Sequence, residues 1–312
     1  MIKLGIVGAN DTSRKHLECL KGGEDFEIIG LFDHDPLQAA RFCEQHGLKQ
    51  FLQYDALLQA SEAINIQTPV GMHYRYASQA IMQSVHVMVS GLLSEDIREA
   101  RHINELAVEA QVNVKVLHHD KLHPEVKTLK RITRKPVYIE CNRFQNKVLS
   151  ISNDSIIFGA LLNDIELLCH LVGSPVRKVN TNATRIYNDF VDFVNVRIDF
   201  ENGCVANMNC GNFENGQNSF IRIFQRNECI RLDLDTFKLI KLIRTESGDF
   251  AEVPFHQNRT KPEDVVKMEL QQFAQSIKNR QKTSLDTYQT FESLRIAHQV
   301  IERIHPSTLF NA

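Results

Sequence analysis

At 312 residues the chain is long enough for two domains and a large core, and 43% hydrophobic with 24% charged residues is ordinary for a folded globular protein. A formal charge of −2 supplies no field that would draw nucleic acid or an anionic membrane. No apolar run is long enough to span a bilayer, and the early run LGIVGA lacks the length and cleavage site of a secretory signal.

The first 120 residues alternate short apolar runs with helical patterns. Lys3–Val7, Glu27–Phe32, Ala63–Gln67, His86–Val89 and Asn113–Leu117 read as strands. Pro36–His46 and Asp96–Ala110 are among the helices between them. That alternation predicts a parallel, doubly wound Rossmann-type α/β sheet over residues 1–120.

The rhythm then changes. A long helix is expected over Ser155–Val172. In Val191–Phe200 the residues Val194, Val196, Ile198 and Phe200 fall on one face, with Asn195, Arg197 and Asp199 on the other. Glu201-Asn202-Gly203 is a hairpin signal, and Cys204–Cys210 returns with its own apolar face. Phe220–Phe224 and Cys229–Leu234 add strands, so residues 121–312 read as an α+β domain with a large, open, mainly antiparallel sheet. Lys261–Lys278 and Thr290–Ile304 carry apolar residues at helical spacing, and these closing helices are expected to pack back on the first domain. Seven cysteines without any C-x-x-C read as small core residues in a reducing cytoplasm, with no metal site.

The turn after the first strand is where a dinucleotide-binding protein carries G-x-G-x-x-G. The first glycine permits a tight turn, the second lets backbone approach the pyrophosphate, and the third packs helix on strand. Here the positions hold Gly8, Asn10 and Ser13. Asn10 tolerates left-handed backbone but its side chain takes up space, and Asp11 sets a negative charge where phosphates would lie. Asp33, 25 residues after Gly8, stands where an acid would hold the ribose hydroxyls of NAD; it reads equally as a cap or turn residue before Pro36.

These residues resemble the Gfo/Idh/MocA oxidoreductases nearly end to end. Gly5, Gly8 and His16 fit the N-terminal frame, and Thr68-Pro69-Val70-Gly71-Met72-His73 looks like the family's T-P-N-x-x-H beside the nicotinamide. Val116–Val126, Ile139–Phe144, Phe200–Asn207 and Arg222–Gln225 are similar to segments of UDP-N-acetylglucosamine 3-dehydrogenase-like members. The resemblance implies NAD(H) as cofactor, contacted by Gly8, Asn10, Asp33, Thr68, Pro69 and His73. It implies a sugar-nucleotide ligand near Lys121, His123, Arg143 and Asn163, and a homodimer or homotetramer through the open sheet.

The departures fall on the chemistry. The family's E-K-P is Ser90-Gly91-Leu92 here, and its D-x-x-x-H has Gly159 and Asn163 at the acid and histidine positions. Hydride transfer at a sugar carbon needs a group to take the hydroxyl proton. Glycine has no side chain and asparagine does not titrate. The leading expectation is a catalytically degenerate member that keeps at most weak binding of a nucleotide or sugar nucleotide. The alternatives are a working oxidoreductase in which His118 or Lys121 replaces the lost acid, among the nearby histidines His73, His119 and His123, and an oligomeric scaffold or partner subunit.

Overall fold

The computed structural model describes residues 1–117, 123–144, 161–186, 190–211, 219–245, 247–254, 262–280 and 287–304. The chain divides into two compact units. One is Met1–His119 with Thr260–Phe291, and the other is Asp120–Arg259 with Glu292–Ala312.

In the first unit five parallel strands, β1 (Ile2–Val7), β2 (Phe26–Phe32), β3 (Ala63–Ile66), β4 (His86–Ser90) and β5 (Val114–Leu117), lie in the order β2-β1-β3-β4-β5. A parallel bridge from Leu31 to Gln50 adds a stub beyond β2. The connecting helices are α1 (Asp11–Leu20), α2 (Pro36–His46), α3 (Tyr54–Ala60), α4 (His73–Met82) and α5 (Ile97–Ala110). Strand order reverses between β1 and β3, and in open α/β sheets ligands bind outside the carboxyl ends at such a point. Leu4, Ile6, Ile64, Ile66, Val87 and Val89 are fully buried, which explains why these strands read as continuous apolar runs rather than alternating ones.

His86 couples this sheet to pH. Its Nδ1 accepts the Asn113 N–H at 2.9 Å, which needs an unprotonated nitrogen, and burial lowers its pKa from the ordinary 6.5. The folded state therefore favours neutral His86 while the unfolded chain takes up the proton first. Stability from this group is complete above pH ~6.5 and is lost as pH falls below it. Thermal melts from pH 7.5 to 5 should fall less steeply for His86→Gln than for the parent; parallel slopes would show that His86 is not the responsible group.

The second unit contains α6 (Pro124–Ile132), β6 (Tyr138–Phe144), α7 (Leu162–Val172), β7 (Val176–Thr184), β8 (Phe193–Phe200), β9 (Val205–Gly211), β10 (Phe220–Gln225), β11 (Glu228–Asp233), β12 (Leu239–Arg244) and β13 (Phe250–Pro254). Its eight strands run β13-β12-β11-β10-β6-β9-β8-β7, antiparallel at each pairing except β6 with β9. The alternation in β8 and β9 is realised: Val194, Val196, Ile198, Phe200, Ala206, Met208 and Cys210 are all buried on one side. The parallel pairing is the exception within the mainly antiparallel sheet. The strand β6 was recognisable only as a family-like segment, and its partner is fixed by tertiary packing rather than by a local hairpin. Of the expected helix Ser155–Val172, residues 155–160 lie outside the described residues, and α7 accounts for the rest. Lys130 of α6 donates to the last carbonyls of α7, His170 O at 2.5 Å and Leu171 O at 3.1 Å.

Two further helices close the chain. In α8 (Pro262–Lys278), Leu270, Phe273 and Ala274 join Ile2, Leu4, Leu20 and Phe26 in the core of the first unit. In α9 (Thr287–Ile304), Leu294, Ala297 and Val300 are fully buried. All seven cysteines are free thiols. No helix among the described residues is long and apolar enough to cross a membrane.

Candidate functional site

The turn from β1 to α1 is stitched to three neighbouring elements. Gly8 has φ +106°, and a Cβ there would stand 3.0 Å from both the carbonyl carbon and oxygen of Gln67, so only glycine fits. Its N–H donates to Phe32 O at 2.9 Å. Asp33 at the end of β2 is buried and accepts the Ala9 N–H on Oδ2 at 2.7 Å and the Asp35 N–H on Oδ1 at 2.8 Å. His34 Nδ1 also lies 2.8 Å from Asp33 Oδ1. Asp35, not Asp33, caps α2, accepting the Leu37 and Gln38 N–H groups. Gln38 in turn donates to Ala9 O at 2.5 Å.

Asn10 does not use its tolerance of left-handed backbone. Its backbone is extended (φ −143°, ψ 180°), not left-handed, because it serves as the N-cap of α1. Its Oδ1 accepts the Ser13 N–H at 3.0 Å and its Nδ2 donates to Gln67 O at 2.5 Å, so one amide ties the helix end to the end of β3. Ser13, at the third glycine position, is buried and donates its hydroxyl to Gly8 O at 2.5 Å.

Beneath this turn sits a polar network that strand patterning did not single out. Asn65 and Gln67 lie on the sheet face toward His16, and their amide N–H groups donate to His16 Nδ1 at 2.9 and 3.0 Å. Gln67 Nε2 also donates to Asn65 Oδ1 at 2.5 Å. Two donors on Nδ1 fix it as the acceptor and place the ring proton on Nε2. The available signal was a pair of amides, two apart, in the otherwise apolar AINIQ. Gln67 Oε1, Thr68 Oγ1 and Ser90 Oγ are buried without a hydrogen-bond partner, all at the carboxyl ends of β3 and β4. A buried polar atom left unmatched costs about 1–3 kcal/mol, and these three lie at the strand ends where open α/β sheets bind ligands.

His73 is buried, with Nδ1 2.6 Å from Leu92 O and Nε2 2.6 Å from Thr68 O. Burial lowers its pKa, and the neutral ring donates to one of these carbonyls, tying the loop after β3 to the loop after β4. Pro69 is exposed. Gly91, at the lysine position, has φ +82°, and a Cβ there would meet nothing within 4 Å. A cleft of about 500 Å³ opens beside the turn, between Ala9, Asn10 and Arg14 on one side and Asp35, Gln38 and Arg41 on the other.

In the second unit, Arg143 of β6 grips Asp164 of α7 with both prongs of its guanidinium: Nε lies 2.9 and 2.8 Å from the carboxylate oxygens and Nη2 lies 2.6 Å from Oδ1. Asp164 is 1% exposed. Asn163, one residue earlier, is exposed in the first turn of α7. Nearby thiols are held protonated: burial pushes Cys210 up to about 12 and raises Cys141 well above its ordinary range. His123 is buried at the head of α6, stacked on Phe237 with ring centroids 3.7 Å apart, and its Nδ1 lies 2.7 Å from Glu125 Oε2. The same Nδ1 accepts the Glu125 backbone N–H at 3.4 Å as the N-cap of α6. On the opposite face of the sheet Asn195, Asn209 and Asn142 form a ladder, each link 2.8 Å. His118, His119, Lys121 and Gly159 lie outside the described residues.

Residues 2–118 match the model of an oxidoreductase family with an NAD-binding Rossmann fold, Gfo/Idh/MocA. Over these residues the chain is similar to that family's NAD-binding Rossmann domain. The chain is 25% identical over 211 residues to UDP-N-acetylglucosamine 3-dehydrogenase of Acidithiobacillus ferrooxidans, a match covering 66% of each chain, just under two thirds of that enzyme. It is 30% identical over 112 residues to glucose-6-phosphate 3-dehydrogenase of Bacillus subtilis, spanning 36% of this chain and 32% of that one. The solved structure of the Acidithiobacillus enzyme GnnA superposes with a TM-score of 0.88 at 22% identity, covering 97% of both chains. The likeness in fold to that enzyme therefore covers nearly the whole chain.

Proposed function

We propose that this chain is a Gfo/Idh/MocA member that has kept a nucleotide-binding edge and lost the family's acid–base chemistry. The observation that carries the reading is the contrast at the carboxyl ends of β3 and β4. Gln67 Oε1, Thr68 Oγ1 and Ser90 Oγ are buried and unmatched, as a polar ligand requires, while Gly91 beside them offers no side chain. The buried unmatched atoms fit a nucleotide at this edge. Gly8, Asp33, Thr68, Pro69 and His73 would hold it, with Asn10 bordering them at the turn. NAD(H), when bound, would supply hydride exchange at its nicotinamide. This chain's residues shape the turn, knit β2, β3 and α1 together and shield the strand ends. None of Gly91, Gly159 and Asn163 has a side chain that can accept the proton from a substrate hydroxyl.

The ligand class follows from likeness to the UDP-N-acetylglucosamine and glucose-6-phosphate dehydrogenases: a nicotinamide nucleotide, a sugar nucleotide, or both. In the second unit Lys121, His123, Arg143 and Asn163 are the proposed sugar-nucleotide contacts, with Arg143 already ion-paired to Asp164. Calorimetric titration of the whole protein with NAD+, NADH and UDP-N-acetylglucosamine tests the reading. Measurable binding of one of them is expected; no binding of any at millimolar concentration removes it.

A further inference from the structure

A phosphate-binding turn works by leaving its backbone N–H groups pointed at the ligand, at the positive end of the following helix. In this chain much of that capacity is spent internally. Of the turn's N–H groups, Gly8 donates to Phe32 O, Ala9 to the Asp33 carboxylate and Ser13 to the Asn10 amide. Asn10 reaches further, since its Nδ2 is anchored 2.5 Å from Gln67 O across the end of β3. The amide thus lies as a strap from α1 to β3, over the helix end that a diphosphate would approach. Asp11 adds a carboxylate in the first turn of the helix, 3.5 Å from Arg14 Nε and largely exposed.

We infer that Asn10 is the residue that sets ligand specificity at this edge: its strapped amide weakens, without abolishing, the binding of diphosphate-bridged ligands such as NAD(H), and leaves a nucleoside or mononucleotide unaffected. This rests on the nucleotide-binding reading above and goes beyond it by assigning the discrimination to one side chain. The strap is held at both ends, so a diphosphate must break two hydrogen bonds to reach the Ser13 N–H. An adenosine seated in the open cleft beside Gln38 and Arg41 need break neither. Glycine at position 10 removes the strap and costs little as an N-cap, because glycine is itself tolerated there.

The test is calorimetric titration of the full chain, parent and Asn10→Gly, with adenosine, AMP, ADP-ribose and NAD+. The variant is expected to bind ADP-ribose and NAD+ at least about tenfold tighter, the scale of one charge-assisted hydrogen bond regained, with adenosine and AMP unchanged within about twofold. Asn10→Ser keeps an oxygen for the Ser13 N–H but is too short to reach Gln67. It should show a smaller gain of the same pattern, and it serves if the glycine variant folds poorly. Equal tightening for adenosine and ADP-ribose, or no tightening while adenosine still binds, would overturn the assignment to Asn10. Failure of all four ligands on both parent and variants would instead overturn the nucleotide-binding reading, and the assignment with it.

Discussion

Arg143→Ala should destabilise the second unit by about 3–5 kcal/mol in chemical denaturation, because it leaves the buried Asp164 carboxylate without its fork. Asp164→Ala should cost a similar amount for the mirror reason. The double replacement Arg143→Met with Asp164→Leu should cost far less than the sum of the single ones, since a well-packed apolar pair avoids the desolvation of two charges. Lysine at 143 should not rescue, because it cannot reproduce the bidentate contact. These variants separate two roles for Arg143. A structural clamp loses stability in the single variants and recovers it in the double; a pure ligand contact would leave stability near that of the parent throughout.

Gly8 and Gly91 both have positive φ, yet alanine should affect them very differently. At Gly8 the new Cβ meets the Gln67 carbonyl at 3.0 Å on top of an unfavourable φ of +106°. Strain and overpacking together should cost about 2–4 kcal/mol and abolish nucleotide binding by displacing the turn. At Gly91 nothing lies within 4 Å, so the penalty is the backbone alone, about 1–2 kcal/mol. Thermal unfolding of the two variants side by side checks this, and equal losses would refute it. The contrast bears on function. A Cβ at 91 has open space around it, so the lack of a side chain there is not imposed by crowding.

Much of the fold could be read from residue patterns because the physics there is local. The parallel strands are buried on both faces and show as apolar runs, and the β8–β9 hairpin shows as strict alternation around Asn202-Gly203. The strand β7 was not legible. Arg177, Lys178, Asn180 and Asn182 give it a polar face, and only Val176, Val179 and Ala183 hint at a pattern. The site was legible as a set of substitutions but not as geometry. That Asn10 would become an extended N-cap strapped to Gln67, rather than a left-handed residue, depends on where β3 ends relative to α1. That Asp33 would accept the Ala9 N–H depends likewise on the pairing of β1 with β2. The pairing of Arg143 with Asp164 was not legible, because that partner is 21 positions away on another element.

The decisive measurement is hydride transfer under forcing conditions: nicotinamide absorbance followed overnight with stoichiometric protein, NAD+ and UDP-N-acetylglucosamine, and in reverse with NADH and the 3-keto sugar nucleotide. With no acid or base at 91, 159 or 163, a factor of about 10²–10⁴ from proton transfer is gone, so turnover should fall from the median enzymatic value of about 10 s⁻¹ to about 10⁻³–10⁻¹ s⁻¹ while the nucleotide remains bound. Turnover at about 1–10³ s⁻¹, the ordinary enzymatic range, would mean that another group, His118 or Lys121 first, carries the proton, and that the chain is a working dehydrogenase after all.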